Sequence, residues 1–254
     1  MVSDFIHELE ILTNQQIITE PTELGFLFAV NSQLIIHFIE LNKLTENLDL
    51  PAFKAKNKLE NTLSIFENEW IDKREGVLSR IKSKLGLNNK IYARKTTVKK
   101  LNRIEAYDFL LDNHINDALK TKYNFGLLYN NEIVAIACFG PIMHKKTEGN
   151  GDMSGELIRF CNKLDYTIVG GLSKLLKHFI TQYKVDDVMT YIDKDWSEGS
   201  GFIKLGFDVV GEKTDFFHYF NVETKQFVKE VNSQNKTITI YKSGLLKLLL
   251  KVKS

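Results

Sequence analysis

The chain is poor in cysteine: Cys138 and Cys161 are the only two among 254 residues. Both sit in apolar runs, AIACFG and LIRFCN, where a small buried thiol packs well, so no disulfide framework or zinc site is available and reduced cysteines are expected. Nor does any uninterrupted apolar run approach the length that spans a bilayer, so no membrane span is expected. The opening MVSDFIHELEIL lacks a basic stretch leading into an apolar core and a small-residue cleavage site, which makes a cytoplasmic location the expectation. Internal repeats and low-complexity tracts are missing too. An excess of one charge is also lacking, because a formal net charge of +2 is too small to announce a nucleic-acid binder. The charge is unevenly placed, however: residues 1–90 carry 10 basic and 13 acidic side chains, and the remainder 24 and 19.

What is present is an ordinary globular composition, 43% hydrophobic and 26% charged, which argues against disorder or a fibrous class. A chain of this length accommodates one large domain or two unequal ones, and two are expected.

From Lys90 onward the pattern changes about every ten residues. Residues 90–99 (KIYARKTTVK) alternate as a strand with one wet face, and 103–112 (RIEAYDFLLD) gather apolar side chains on one helical side. Residues 124–129 and 132–139 are apolar runs separated by Asn130-Asn131, a pair that tolerates positive φ and predicts a tight hairpin. A glycine-rich polar loop is expected over 141–155. It is followed by a strand (156–161), an amphipathic helix (172–183), a buried strand (187–192), a short helix (201–205) and strands near 207–211 and 216–222.

This order resembles the GNAT acyltransferase superfamily, in which a mostly antiparallel sheet splays apart between its fourth and fifth strands to admit an acyl-CoA. The resemblance implies an α/β fold of the α+β kind, a GNAT-like mixed and mostly antiparallel sheet flanked by helices, with acetyl-CoA or another acyl-CoA as cofactor. In TIVGGLSKLL (167–176), glycines at a strand-to-helix junction let backbone N–H groups approach a phosphate, so Val169, Gly170, Gly171, Ser173 and Lys174 are the expected cofactor-binding residues. The pattern is incomplete, with Thr167 and Leu172 where the family has Arg or Gln and a small residue. An ordinary glycine turn capped by Ser173 reads the same letters. In GFIKLGF (201–207) the family places a tyrosine that protonates the departing thiolate, but Phe202 cannot donate a proton, and packing of Phe202 and Phe207 on the sheet explains the segment.

The segments NHI (113–115), NFGLLYNNEIVAIACFG (124–140), ELIRFCNKLDYTIVGGLSKLLKHFI (156–180) and DKDW (193–196) are similar to the Mom-like, phage-associated branch of these folds, whose members are linked to DNA modification. That resemblance implies a polar cleft formed by His114, Glu156 and Asp193 as catalytic residues and by Arg159, Asp195 and Trp196 as substrate-binding ones. Glu156 is a candidate general base, and Arg159 a bidentate partner for phosphate or carboxylate. Three apart on a strand, the two face opposite sides unless a bulge intervenes. His114 also reads as a helix-terminal histidine bonded to backbone.

The segment IFENEWIDKREGVLSRIKSKLGLNNKIYARK (65–95) resembles the end of very-short-patch-repair-type nuclease domains found ahead of GNAT-like units in phage homing endonucleases. Residues 23–41 would then be the strand pair that carries the metal-binding carboxylates, yet Gly25 and His37 stand at the acidic positions, so no metal site and no cleavage are expected. Lys54, Lys56, Lys58, Lys73, Arg74, Arg80, Lys82 and Lys84 are candidates for a DNA-facing surface, or simply a solvated helix face. The tail SGLLKLLLKVKS (243–254) reads as a basic amphipathic helix, docked on its own domain or contacting a partner. The expected organisation is a degenerate nuclease-like domain at 1–89, a GNAT-like domain at 90–224 and a basic extension at 225–254. DNA is the candidate partner, and a non-catalytic DNA- or protein-binding module is the rival to a transferase.

Overall fold

In a computed structural model, which describes residues 1–32, 34–144, 153–231 and 236–252, contacts divide the chain into two units. Unit 1 comprises Met1–Arg74, Ile192–Glu198 and Glu212–Leu246, and unit 2 Glu75–Tyr191, Gly199–Gly211 and Lys247–Ser254. The elements begin with α1 (Val2–Thr13), β1 (Ile18–Thr22), β2 (Gly25–Asn31), β3 (Leu34–Ile39), β4 (Leu48–Asp49), α2 (Leu50–Asn57), β5 (Leu63–Phe66) and α3 (Glu67–Leu85). They continue with β6 (Asn89–Tyr92), β7 (Thr97–Lys100), α4 (Arg103–Asn113), β8 (Tyr123–Tyr129), β9 (Glu132–Phe139), β10 (Met143–His144), β11 (Met153–Asn162) and β12 (Tyr166–Val169). The remainder is α5 (Gly171–Tyr183), β13 (Asp187–Asp193), α6 (Ser200–Ile203), β14 (Asp208–Lys213), β15 (Phe217–Asn221), β16 (Gln226–Val228), β17 (Thr237–Tyr241) and β18 (Leu245–Lys251). The fold is thus mixed α/β, with mostly antiparallel sheets flanked by helices. Among the described residues no helix is long and apolar enough to cross a membrane.

Unit 1 is built on a sheet of order β1-β2-β3-β5, antiparallel except where β5 runs parallel to β3. Phe5 and Leu9, four apart on α1, share one helical face and are fully buried. Phe5 packs against Phe28, Phe38 and the edge of Trp70. A second sheet, β16-β15-β17-β4, closes a core around Phe66, Phe220 and Ile240. Residues 216–222, expected as the last strand of the C-terminal sheet, therefore pair elsewhere: β15 lies between β16 and β17.

Unit 2 centres on a sheet of order β14-β18-β13-β11-β9-β8-β7, with β10 pairing β11. Asn130 and Asn131, at φ 51° and 63°, make the expected turn between β8 and β9. Alternate residues of β9 feed two cores. Ile136 and Cys138 pack with Ala106 and Leu110 of α4, whereas Phe139 stacks on Phe179 of α5 at 3.8 Å. The period of two thus places α4 and α5 on opposite faces. Both cysteines are buried and unpaired, and burial pushes their thiols up, Cys138 to about 11 and Cys161 to about 12.

Two further expectations are corrected. Residues 90–99 are not one strand: the chain breaks at Ala93–Lys95, so that β6 pairs with β12 and β7 with β8. The tail is not a helix but β18, which lies between β14 and β13. A spacing of four, as between Lys247 and Lys251, puts two side chains on one face of a strand as well as of a helix. Two neighbouring strands that satisfy the backbone then override the helical preference of leucine. Of the expected loop over 141–155, residues 145–152 lie outside the described residues.

Candidate functional site

The fourth and fifth strands along the main path of the sheet are β11 and β13. They run parallel and pair only from Ser154–Leu157 to Asp187–Thr190, the last rung reinforced by the Thr190 hydroxyl donating to Leu157 O at 2.8 Å. Past Leu157 the register with β13 ends, while Arg159–Asn162 of β11 stay paired with β9. At that point β11 carries a bulge, since Leu157 pairs with Phe139 but Arg159 with Cys138.

The bulge decides which side chains meet. Paired residues share a face, and Cys138 and Phe139 point to opposite faces; Arg159 therefore lies opposite Leu157, on the same face as Glu156. Without the extra residue the two would be separated by the sheet. A Cβ on Gly140 would lie 3.7 Å from Glu156 Oε2, which confirms that Glu156 leaves the sheet on the Gly140 and Cys138 side. Arg159 is partly buried. Its Nη1 donates to Ile158 O at 2.9 Å, its buried Nε has no protein partner, and desolvation lowers its pKa.

Directly after β12, Gly170 at φ 78° is the N-cap of α5, a left-handed conformation that favours glycine. Val169, Gly170 and Ser173 are exposed, and no side chain caps the first turn, so its amides face solvent. Ser173, read as a cap, is inside the helix instead. Lys174 is drawn away from this opening: its ammonium donates to Ala93 O at 2.9 Å and to the carbonyl of Thr96. Gly171 is buried against Ile168 and Leu127 and positions the turn rather than contacting solvent.

His114 is the C-cap of α4. Its N–H donates to Leu110 O at 2.9 Å, and its Nδ1 accepts from Asn116 N at 3.0 Å, so the neutral ring carries its proton on Nε2. Phe202 packs edge-on against Phe207 at 5.4 Å.

The other expected site residues, Asp193, Asp195 and Trp196, group with unit 1. Trp196 is 2% exposed, and its indole N–H donates to Glu69 Oε1 at 3.2 Å. The Asp195 N–H donates to Asp193 Oδ1 at 2.9 Å, and the Asp195 carbonyl accepts from Ser64 N at 3.1 Å. Burial and the neighbouring Asp195 carboxylate raise the Asp193 carboxyl to about 6, against the opposing pull of Lys242. This segment ties strands together.

Lys54, placed in a candidate DNA-facing set, is only 4% exposed and donates to Thr62 O at 2.9 Å and Ser64 Oγ at 3.3 Å. Arg74 of the same set grips Asp4 and Glu8. His37 is fully buried, stacked on Phe53 and bonded to the Thr22 hydroxyl, and burial followed by the Lys54 charge lowers it to about 4. At Gly25 a Cβ would meet Phe38 O at 2.2 Å, so the β2–β3 pairing leaves no room for a side chain. Among the described residues no group of three or more His, Cys, Asp and Glu side chains is placed to hold a metal ion.

Sequence reasoning missed two polar side chains, Asn88 and Asn162. Their amide oxygens are buried without a protein partner, and the local sequence carries no signal for this.

No family model matches the chain, and no curated protein does. Among solved structures it is similar to the ribosomal-protein-S18-alanine N-acetyltransferase of Escherichia coli, at 14% identity and a TM-score of 0.42 over 63% of this chain and 95% of that one. A Bacillus subtilis acetyltransferase in complex with CoA gives 13% and 0.41, over 63% and 100%. A GNAT family acetyltransferase from Elizabethkingia anophelis with acetyl-CoA bound gives 15% and 0.39, over 62% and 99%. Likeness at this level leaves function to be argued from the chain's own geometry.

Proposed function

We propose that unit 2 is a GNAT-like, acyl-CoA-dependent N-acyltransferase. The observation that carries this reading is the parting of β11 from β13 beyond Leu157 and Thr190, together with a solvent-facing, uncapped helix start at α5. The opening lies between the fourth and fifth strands, where a GNAT-like sheet admits its cofactor. A bound acyl-CoA supplies an activated thioester. The first-turn amides of α5, Leu172 N–H and Ser173 N–H among them, hold its pyrophosphate with the help of the helix dipole. Val169 and Gly170 let it approach, while Lys174 shapes the turn through its carbonyl partners. Glu156 takes the proton of the attacking amine, directly or through water, and Arg159 on the same face orients an acidic group of the acceptor. Asp193, the other candidate base, is committed to Asp195 within unit 1, so Glu156 is the stronger assignment. Phe202 leaves the departing thiolate without a proton donor at that position.

The acceptor amine in this reading belongs to a nucleobase, and the protein is of the Mom-like, phage-associated kind working in a DNA context; the segments 113–115, 124–140 and 156–180 support it. Unit 1 is then a nuclease-like remnant without cleavage chemistry. The closed backbone at Gly25 and the buried, neutral His37 fit that role. A second reading, a non-catalytic binding module, is favoured by the engagement of Lys174 with carbonyls and by Phe202.

Isothermal titration of the full chain with acetyl-CoA, paired with salt-dependent DNA binding, separates the two. Saturable binding that Ser173→Glu abolishes supports the transferase. That variant suits a helix start, so the fold survives while anions are repelled. DNA binding with no heat from acetyl-CoA supports the module.

A further inference from the structure

Unit 2 holds a cavity of about 190 Å³ lined by the second half of α3, the end of α4 and the exit of β11. Its polar content is lopsided. Asn88, 7% exposed, spends its Nδ2 on Ser79 O at 3.3 Å and Tyr166 O at 3.5 Å, which fixes the amide orientation and leaves Oδ1 an acceptor without a protein donor. Asn162 Oδ1 is buried in the same condition. Each acceptor left dry costs on the order of 1–3 kcal/mol, so the cavity calls for N–H donors. The ionisable side chains of its wall are Arg80, Lys163, His114, Cys161 and Tyr166, with no carboxylate among them. The Cys161 thiol is pushed up to about 12 and stays neutral.

We propose that this cavity binds a free L-α-amino acid. The ammonium group donates to Asn88 Oδ1 and Asn162 Oδ1, and the carboxylate is held by the Arg80 guanidinium, whose five donors allow a bidentate grip alongside its existing contact. Both halves of the ligand are required by the wall. An amine alone meets cations, and a carboxylate alone leaves both amide oxygens unpaired. Size sets the upper bound, because drug-sized ligands and nucleotides need roughly 300 Å³ or more. The site is separate from the start of α5 and does not rest on acyl-CoA binding.

The test is calorimetric titration of the full chain with each standard L-amino acid, and with acetate and methylamine as half-ligands. At least one amino acid is expected to bind saturably, the half-ligands not at all. Asn162→Leu and Arg80→Gln are each expected to weaken binding at least tenfold with acetyl-CoA heats unchanged. Arg80→Gln replaces a partly exposed side chain and serves if Asn162→Leu does not fold. Binding of no amino acid, or binding indifferent to both substitutions, overturns the proposal and leaves the amide oxygens to water.

Discussion

The two units use polar side chains in opposite ways. In unit 1 the conspicuous ones turn inward: Lys54 holds Thr62 and Ser64, Trp196 holds Glu69, and His37 is sealed beneath Phe53. In unit 2 the candidates stand where regular pairing stops, at the bulge that brings Glu156 to the face of Arg159 and at the uncapped turn before α5. A motif that looks chemical in sequence can therefore be architectural, and interruption of backbone pairing separates the cases better than residue type does.

The sharpest way to break this comparison is to put a carboxylate back where the nuclease-like reading would want one. Gly25→Asp drives a Cβ into Phe38 O and should cost on the order of 4 kcal/mol or more by denaturant titration; a folded variant would show that β2–β3 pairing does not exclude a side chain. Next comes Trp196→Ala, expected to lose about 3–5 kcal/mol while acetyl-CoA binding in the folded fraction is kept. Loss of binding without loss of stability would return Trp196 to the substrate site.

Acidification sharpens the contrast further. His37 is held at about 4, below its ordinary 6.5, so its contribution is present above 6.5 and lost as pH falls toward 4. Asp193 is held at about 6, above its ordinary 3.8, so its contribution is present at low pH and lost as pH rises toward 6. The two slopes oppose each other and nearly cancel between 4 and 6. His218, lowered by its own burial, acts in the sense of His37. Asp193→Asn should unmask the histidines, so that the variant loses about 3 kcal/mol between pH 6.5 and 4 where the parent changes little. Equal profiles would refute the buried Asp193. The smallest effect on stability belongs to Glu156→Gln, within about 0.5 kcal/mol, with acyl transfer slowed on the order of a hundredfold or more in rate assays. Undiminished transfer would remove Glu156 as the base.

Much of unit 2 was legible because its signals are local. The Asn130-Asn131 turn, the apolar stripe of α5 and the break at Gly170 are each written in a few adjacent residues. The condition set by the spacing of Glu156 and Arg159, a bulge, is met, but which residue bulges depends on the register with β9 and so on distant sequence. The tail misled because a spacing of four fits both periods, and only its place between β13 and β14 decides. Assignment of 192–198 and 212–246 to unit 1 rests on contacts far apart in the chain, such as Trp196 with Glu69, which no periodicity encodes. The orphaned oxygens of Asn88 and Asn162 are equally invisible, since an asparagine reads alike whether or not it is satisfied.

The most direct test of the transferase account is amide-resolved NMR of the full chain titrated with CoA. The N–H signals of Leu172 and Ser173 should shift saturably and together, with those of Ile158 and Arg159 beside the gap following. Signals at the start of α5 that stay in place while CoA is in excess, or shifts confined to unit 1, would contradict it.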